Sequence, residues 1–455
     1  MPLLKDLGSF ISKLRFESLP ENVRKKAKIH VLDAIACGAA GYELKFHQPL
    51  VDILKEYTSK PESTVIFEGW KTSCLDAAFI NAFIINAADI EDTHRFSITH
   101  PAAPVIGSAL AIGERERIDG KMFLTSVVAG YEVMARVGMA INPSAYLRGF
   151  HATSVCAPFA SATVASKILG LDEELTTDAL AIAAIQASGL LEAFSEKESK
   201  GIQVARGAYS GVLAALLAHK GLKGSQTIME GGQFYKSGYL SAFSDEPKPE
   251  ALHRGLSDEF EIMKTAIKIH GGCRYIHSPM DTALEIVRKY NIDVKNIKRI
   301  RVRYTSQAHN LEIAEPKDEK QAIFNTAFGI ALLLLRGDAS FHAFTKENLR
   351  DPEIAEFMKK ITTEVDPKLD EKYTKTGFGT IVTIETKDGK VFEEERAFPR
   401  GEPEWPVTED EVLEKVRRLT YRVLGREKAE ELISIVLKLE EVKDISDFIA
   451  KTIIK

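Results

Sequence analysis

Between Ser73 and Ala140 the chain is dominated by alanine, glycine and other small residues in helix-forming runs. This stretch constrains the fold more than any other. Lys121–Ile141 reads as one long helix with Gly130 and Gly138 inside it. Each glycine within a helix costs about 1 kcal/mol relative to alanine. Glycines at such positions make sense where helices cross closely, so the stretch predicts a tightly packed all-helical body.

The neighbouring segments extend that reading. Val23, Ala27, Val31, Ala34 and Ile35 repeat at helical spacing after Pro20, and His47–Glu56 forms a second short helix. Ser154–Leu169 is helical, with Gly170 as its C-terminal cap. Thr176 or Thr177 is expected to cap a helix running to about Ser188, and Ala205–His219 is the next helix. The composition changes near residue 265. Met280–Lys289 and Glu319–Leu335 read as helices. Ile297–Thr305 alternates apolar and basic residues, the signature of a half-buried strand. Gly379–Thr386 and Val391–Ala397 flank Lys387–Lys390, and the Asp388–Gly389 pair marks a hairpin turn. After Pro403 and Pro406 the chain is helical again, opened by a capping box of Thr408 with Glu411. The expected organisation is an all-helical domain over 1–265, a smaller α+β domain over 266–404 and C-terminal helices over 405–455.

Four polar breaks interrupt the apolar pattern, at 89–101, 146–153, 195–206 and 268–279. The first is D-I-E-D-T-H-R-F-S-I-T-H-P, Asp89–Pro101, set between two apolar helices. Together the breaks supply Asp89, Asp92, Thr93, Arg95, His100, Arg148 and His151. They also supply Lys200, Arg206, Lys268, Arg274 and His277. Arginine and lysine hold carboxylates, and histidine or lysine near neutral pKa moves protons. If these groups converge, the natural chemistry is proton transfer next to a carboxylate, with the anion stabilised by the cationic cluster. Each residue also has a plainer role. His94, His219 and His270 suit hydrogen-bonded packing between helices. Lys200 sits in E-K-E-S-K, which resembles a solvated charge run; Asp89 suits a cap or an ion pair with Arg95; Arg274 suits a brace at the domain boundary.

Bulk properties exclude other classes. A chain of 455 residues calls for two domains at roughly 100–200 residues each. The net charge of −5 implies no basic face for nucleic acid. Cys37, Cys74, Cys156 and Cys273 have no C-x-x-C spacing, so they read as buried thiols in a reducing compartment rather than zinc or iron–sulfur ligands. Neither H-E-x-x-H nor a nucleotide-binding glycine motif occurs, so no metal and no cofactor is expected. The most apolar runs, Gly211–Ala218 and Phe328–Leu335, fall short of the roughly 20 residues a membrane span needs. With no leader-like start, the expectation is a cytoplasmic protein without membrane partners.

Several motifs follow one another in a fixed order: the Asp89–Pro101 run followed by G-S-A-L-A-I-G-E, then G-Y-E-V-M-A-R-V-G and R-G-F-H-A-T-S-V. S-K-G-I-Q-V-A-R-G-A-Y-S-G and K-I-H-G-G-C-R-Y-I-H complete the set. In this order they resemble the MmgE/PrpD family, whose members include 2-methylcitrate dehydratase, cis-aconitate decarboxylase and iminodisuccinate epimerase. The resemblance covers most of the chain. It implies a mainly α protein: a large helical domain built from both chain ends, with an inserted α+β lid and the site between them. It implies no cofactor, a homodimer, and a small di- or tricarboxylate substrate. Asp89, Thr93 and His100 match the family's D-x-x-D-T…T-H-P loop, His151 its G-F-H motif and Lys200 its T-K-R segment. Lys268 and His277 match the ends of its K-x-x-x-x-C-R-x-x-H segment. On this basis Asp89, His100, His151 and Lys200 are the expected catalytic residues, and Thr93, Arg148, Lys268, Arg274 and His277 the expected substrate-binding ones. The leading expectation is a hydro-lyase of the 2-methylcitrate dehydratase type. A decarboxylase, an epimerase and a non-catalytic carboxylate-binding member are the alternatives. Three departures stand out: Gly201 replaces the family's arginine, Phe328 replaces a frequent tyrosine, and the Thr93–His100 loop is one residue longer than in decarboxylase-like members.

Overall fold

The computed structural model describes residues 2–57, 59–373 and 377–454. The chain forms two compact units, Met1–Thr265 with Glu409–Lys455, and Ala266–Thr408.

The first unit is helical. Its long members include Glu21–Glu43, Cys74–Asn86, Ala102–Glu116, Gly120–Ile141, Ala152–Ile168 and Lys197–His219. Small residues let these helices approach closely. A Cβ added at Gly130 would lie 2.8 Å from Val164 Cγ2, and one at Gly138 would lie 2.5 Å from Ser97 Cβ. Gly120–Ile141 is long and apolar enough to cross a bilayer, yet it is almost wholly buried in this unit, where its apolarity serves the core. The C-terminal helix Glu409–Leu424 joins this unit through buried Lys415, whose Nζ lies 2.6 Å from Asp33 Oδ1 and donates to Ile90 O at 2.9 Å. A buried cation needs such partners to offset its desolvation.

Several local boundaries differ from the sequence reading. The helix expected to start at Thr176 starts at Glu173 and ends at Ala184. Its cap is Asp172, which accepts from Leu175 N at 2.9 Å, while Thr177 Oγ1 donates back to Glu173 O. The helix expected from Ala205 begins at Lys197. His219, expected to pack, is the exposed last residue of that helix.

The second unit holds a four-stranded sheet. Its central strand Ile297–Tyr304 pairs parallel with Ile361–Val365 and antiparallel with Thr380–Thr386, which pairs antiparallel with Val391–Arg396. Alternation sends Ile300 and Val302 into the core beside Val382, Ile384, Met280 and Phe328. The other face carries ion pairs, such as Arg301–Glu364 and Arg303–Glu393. The helix expected at Met280 opens six residues earlier, spanning Arg274–Lys289 with Pro279 inside. The segment read as one helix from Glu319 is two, Glu319–Ala322 and Thr326–Arg336, because Asn325 caps the second by accepting from Phe328 N at 2.6 Å.

Candidate active site

The run Asp89–Pro101 leaves helix Cys74–Asn86 through Asp89, which adopts a left-handed φ of 56°. Aspartate tolerates that conformation better than most residues. His94 and Thr99 then pair across a tight loop, with His94 N–H donating to Thr99 O at 2.8 Å. This closure brings Thr93 and His100 together, Oγ1 to Nδ1 at 3.3 Å. The loop seats on Gly138, and Asn142 Nδ2 donates to Ser97 O at 2.8 Å. His94 is a packing residue, fully buried, with Nδ1 2.8 Å from Ser97 Oγ and Nε2 3.0 Å from Glu261 Oε2. Burial alone would raise the Glu261 carboxyl, but His94 and Lys264 outweigh it and pull it down to about 2.

Asp92 anchors the loop from inside. Its carboxylate accepts from Ala102 N at 3.0 Å and Tyr131 Oη at 2.6 Å, and lies 2.8 Å from His30 Nδ1. Its backbone carbonyl is 2.7 Å from His100 Nδ1. A carbonyl only accepts, so His100 carries a proton on Nδ1 and, when neutral, its lone pair on Nε2.

His151 occupies the N-cap position of helix Ala152–Ile168, and its backbone N–H donates to Gly189 O at 3.1 Å. Its Nδ1 lies 2.6 Å from Ser154 Oγ and 2.9 Å from Gln203 Nε2. The ring meets Phe194 edge-on at 4.8 Å. Burial holds its pKa well below 6.5; Lys200 and His100 push the same way, and Asp89 opposes them. His151 is therefore neutral at physiological pH. Lys200 is no surface lysine: it is 5% exposed, in the first turn of helix Lys197–His219. Its Nζ lies 2.5 Å from Asp89 Oδ1 and 5.2 Å from the centre of the Phe194 ring. Lys200, from a distant stretch of the chain, is thus an ion-pair partner of Asp89. Arg95 is buried with its guanidinium 4.4 Å from the Phe96 ring centre.

The geometry treats the other expected residues differently. Arg148 is exposed at the end of helix Ser144–Leu147, with Nη1 3.2 Å from Ala242 O and 3.4 Å from Asp245 Oδ1. Arg206 is also exposed and stacks over Tyr209 at 4.8 Å. Both face outward, because helix geometry turns Arg206 away from the buried side that holds Lys200, and the Gly149 turn separates Arg148 from His151. Sequence reasoning overlooked Ser154 and Gln203. Each lies three residues after an expected site residue on the same helix, and that spacing was the available signal.

Lys268, Arg274 and His277 belong to the second unit, where all three are buried. Arg274 and His277 are one turn apart on helix Arg274–Lys289, Nη1 to Nδ1 at 3.3 Å. A guanidinium only donates, so His277 Nδ1 accepts and Nε2–H points to Gly272 O at 3.3 Å. Burial, then Arg274, His270 and Lys268, hold His277 well below its ordinary pKa. Arg274 Nη2 pairs with the fully buried Glu402 at 2.9 Å. It braces this unit internally. His270 packs as expected, Nε2 2.8 Å from Asp281 Oδ1. Among the described residues no cluster of three or more His, Cys, Asp and Glu is arranged to hold a metal ion.

Residues 5–252 match the MmgE/PrpD N-terminal domain and residues 270–441 the MmgE/PrpD C-terminal domain. The chain belongs to the MmgE/PrpD family. The cis-aconitate decarboxylase-like protein oryM of Aspergillus oryzae is 28% identical to it, over 98% of this chain and 96% of that protein. Cis-aconitate decarboxylase of Aspergillus terreus is 27% identical, over 97% and 94%. Mitochondrial 2-methylcitrate dehydratase of Yarrowia lipolytica is 22% identical, over 88% and 80%.

Two of the departures from the MmgE/PrpD pattern have a visible setting. A Cβ at Gly201 would lie 2.8 Å from Cε2 of the buried Phe83 ring, so any side chain here, the family's arginine included, must first displace that ring. Phe328 is fully buried in the core of the sheet unit, with its ring 5.6 Å from that of Phe344.

Proposed function

We propose that this protein is a lyase for a small polycarboxylate, and that it decarboxylates a cis-aconitate-like substrate. One observation carries the reading: Lys200 pairs with Asp89 at 2.5 Å, and these two together with His100, drawn from three separate stretches, all act electrostatically on the buried His151. Lys200 supplies positive charge for a substrate carboxylate in a low-dielectric environment, where it acts strongly. His151 is neutral and able to accept a proton, and the Lys200 ammonium carries protons to give. In decarboxylation the carbon–carboxylate bond breaks, CO2 leaves, and the electron pair left behind takes up a proton from the Lys200 ammonium, which is left as the amine. The expectation from motifs alone ranked dehydration first. The decarboxylase relatives match at higher identity and over more of both chains than the dehydratases, and this supports the reordering.

Dehydration is the second reading, favoured by the lone pair on His100 Nε2. A base there would remove a proton from the carbon next to a carboxylate, while the hydroxyl on the neighbouring carbon leaves as water. The test incubates purified protein with cis-aconitate and, separately, with 2-methylcitrate. Release of CO2 from cis-aconitate supports the first reading. New C=C absorbance from 2-methylcitrate alone supports the second. No change in either substrate overturns both.

A further inference from the structure

We infer that Gln203 is a positioning residue: it fixes the tautomer of His151 so that the ring presents an Nε2–H donor. The argument starts in the backbone. Phe150 and Leu190 form an antiparallel bridge, with Leu191 N donating to Gly149 O at 2.9 Å and His151 N donating to Gly189 O at 3.1 Å. This short ladder sets both polar groups of Leu190 in place beside His151. Gln203, on helix Lys197–His219, clamps onto them. Its Oε1 accepts from Leu190 N at 2.9 Å and its Nε2 donates to Leu190 O at 3.1 Å. Amide oxygen and nitrogen are assigned by their partners, and here the partners leave one choice. The flipped amide would set its NH2 against an N–H and its oxygen against a carbonyl.

The second N–H of Gln203 then points at His151 Nδ1, 2.9 Å away. An amide N–H only donates, so Nδ1 must hold the lone pair. Ser154 Oγ, 2.6 Å from the same nitrogen, can donate or accept and so does not decide the tautomer. A neutral ring with an accepting Nδ1 carries its proton on Nε2. That nitrogen is buried and has no hydrogen-bond partner among the described residues. Lys200, His100 and Asp89 all act on the ring electrostatically. His100 has the opposite arrangement, with its proton on Nδ1 against the Asp92 carbonyl. The two histidines are thus held in opposite tautomers, His151 with its proton on Nε2 and His100 with its proton on Nδ1. A polycarboxylate oxygen, or a carbanion left by bond cleavage, is the partner an Nε2–H would serve. That last role rests on the function proposed above; the tautomer does not.

The test is long-range 1H–15N correlation on the full chain labelled with 15N-histidine, without any substrate. The His151 signal is assigned by its loss in His151→Asn. Wild type is expected to show a protonated Nε2 and a lone-pair Nδ1. Gln203→Glu replaces the donor with an acceptor and should move the proton to Nδ1 or leave both nitrogens protonated. Gln203→Met removes the donor and should populate both tautomers. In the same Met variant, kcat on the accepted polycarboxylate should fall roughly 10-fold or more with a smaller change in KM. A wild-type spectrum with Nδ1 protonated overturns the inference even if both variants fail to fold. A folded Gln203→Met variant with the wild-type pattern also overturns it. Inactivity of the wild type on both polycarboxylates would sink the proposed function while leaving the spectral result to stand on its own.

Discussion

Gly201→Ala sets two effects of known size against each other at one position. Gly201 is the fifth residue of helix Lys197–His219, and alanine is favoured over glycine in a helix interior by about 1 kcal/mol. Against this, the new Cβ would lie 2.8, 3.1 and 3.5 Å from Cε2, Cδ2 and Cζ of Phe83. Carbon atoms pack comfortably at about 3.5–4.0 Å, so the ring must yield by roughly 0.7 Å. Phe83 is 1% exposed and packed among Ala82, Ala87, Ala205 and Ala208, which leaves it little room. Overpacking a filled core costs about 1–3 kcal/mol. The expected net effect is a destabilisation of about 1 kcal/mol, read as a lower urea midpoint at unchanged m-value. Phe83→Leu removes Cε2, the nearest clashing atom, together with Cζ, and in that background Gly201→Ala should become neutral or stabilising. The coupling in this double-mutant cycle should be about 1–3 kcal/mol. Stabilisation of the wild type by Gly201→Ala, or a coupling near zero, would refute the reasoning and the account of why arginine is absent here.

Lys200→Met leaves Asp89 without its ammonium partner and removes one of the charges that hold His151 neutral. It should destabilise the helical unit by about 3 kcal/mol, toward the lower end for a broken buried pair because Asp89 is partly exposed. It should also raise the His151 pKa in a 15N-histidine titration and cut turnover about 100-fold. His151 and His277 both titrate below 6.5 in the folded state, so as pH falls through 6.5 the unfolded chain takes up protons that the native state refuses. Stability should therefore drop on acidification by about 1.4 kcal/mol per pH unit for each histidine. Urea midpoints between pH 7.5 and 5.5 measure the slope, which His151→Asn should flatten; an unchanged slope contradicts the assignment of a neutral His151. Glu402→Ala strands Arg274 in the interior of the sheet unit, and chemical denaturation should show a loss of about 3–5 kcal/mol.

Local rules carried much of the sequence reading. The alternation in Ile297–Tyr304 and the Asp388–Gly389 turn are short-range signals, and the observed strands lie within a residue of the expected ones. Gly130 announced a close helix crossing, while Gly138, read the same way, instead makes room for Ser97 and Thr99 of the loop. The run Asp89–Pro101 was legible as a polar break but not as a folded object. Its shape depends on the His94–Thr99 closure, on Gly138 beneath it and on Lys415 holding Ile90 from the far end of the chain. The same limit hid the true start of helix Lys197–His219. E-K-E-S-K resembles a solvated run until Lys200 meets Asp89, 111 positions earlier. Residue type alone likewise could not separate Lys200 from Arg148 or Arg206, since exposure is a property of the packed unit. The sequence by itself determined most of the long helices, the strands flanking the Asp388–Gly389 turn and the residue types able to hold carboxylates and move protons; it did not show strand Ile361–Val365. Tertiary structure decided which charges are buried, which pair with each other, and which nitrogen of each histidine bears the proton. Burial, Coulomb attraction and hydrogen-bond direction act through space, between groups that the chain order keeps far apart.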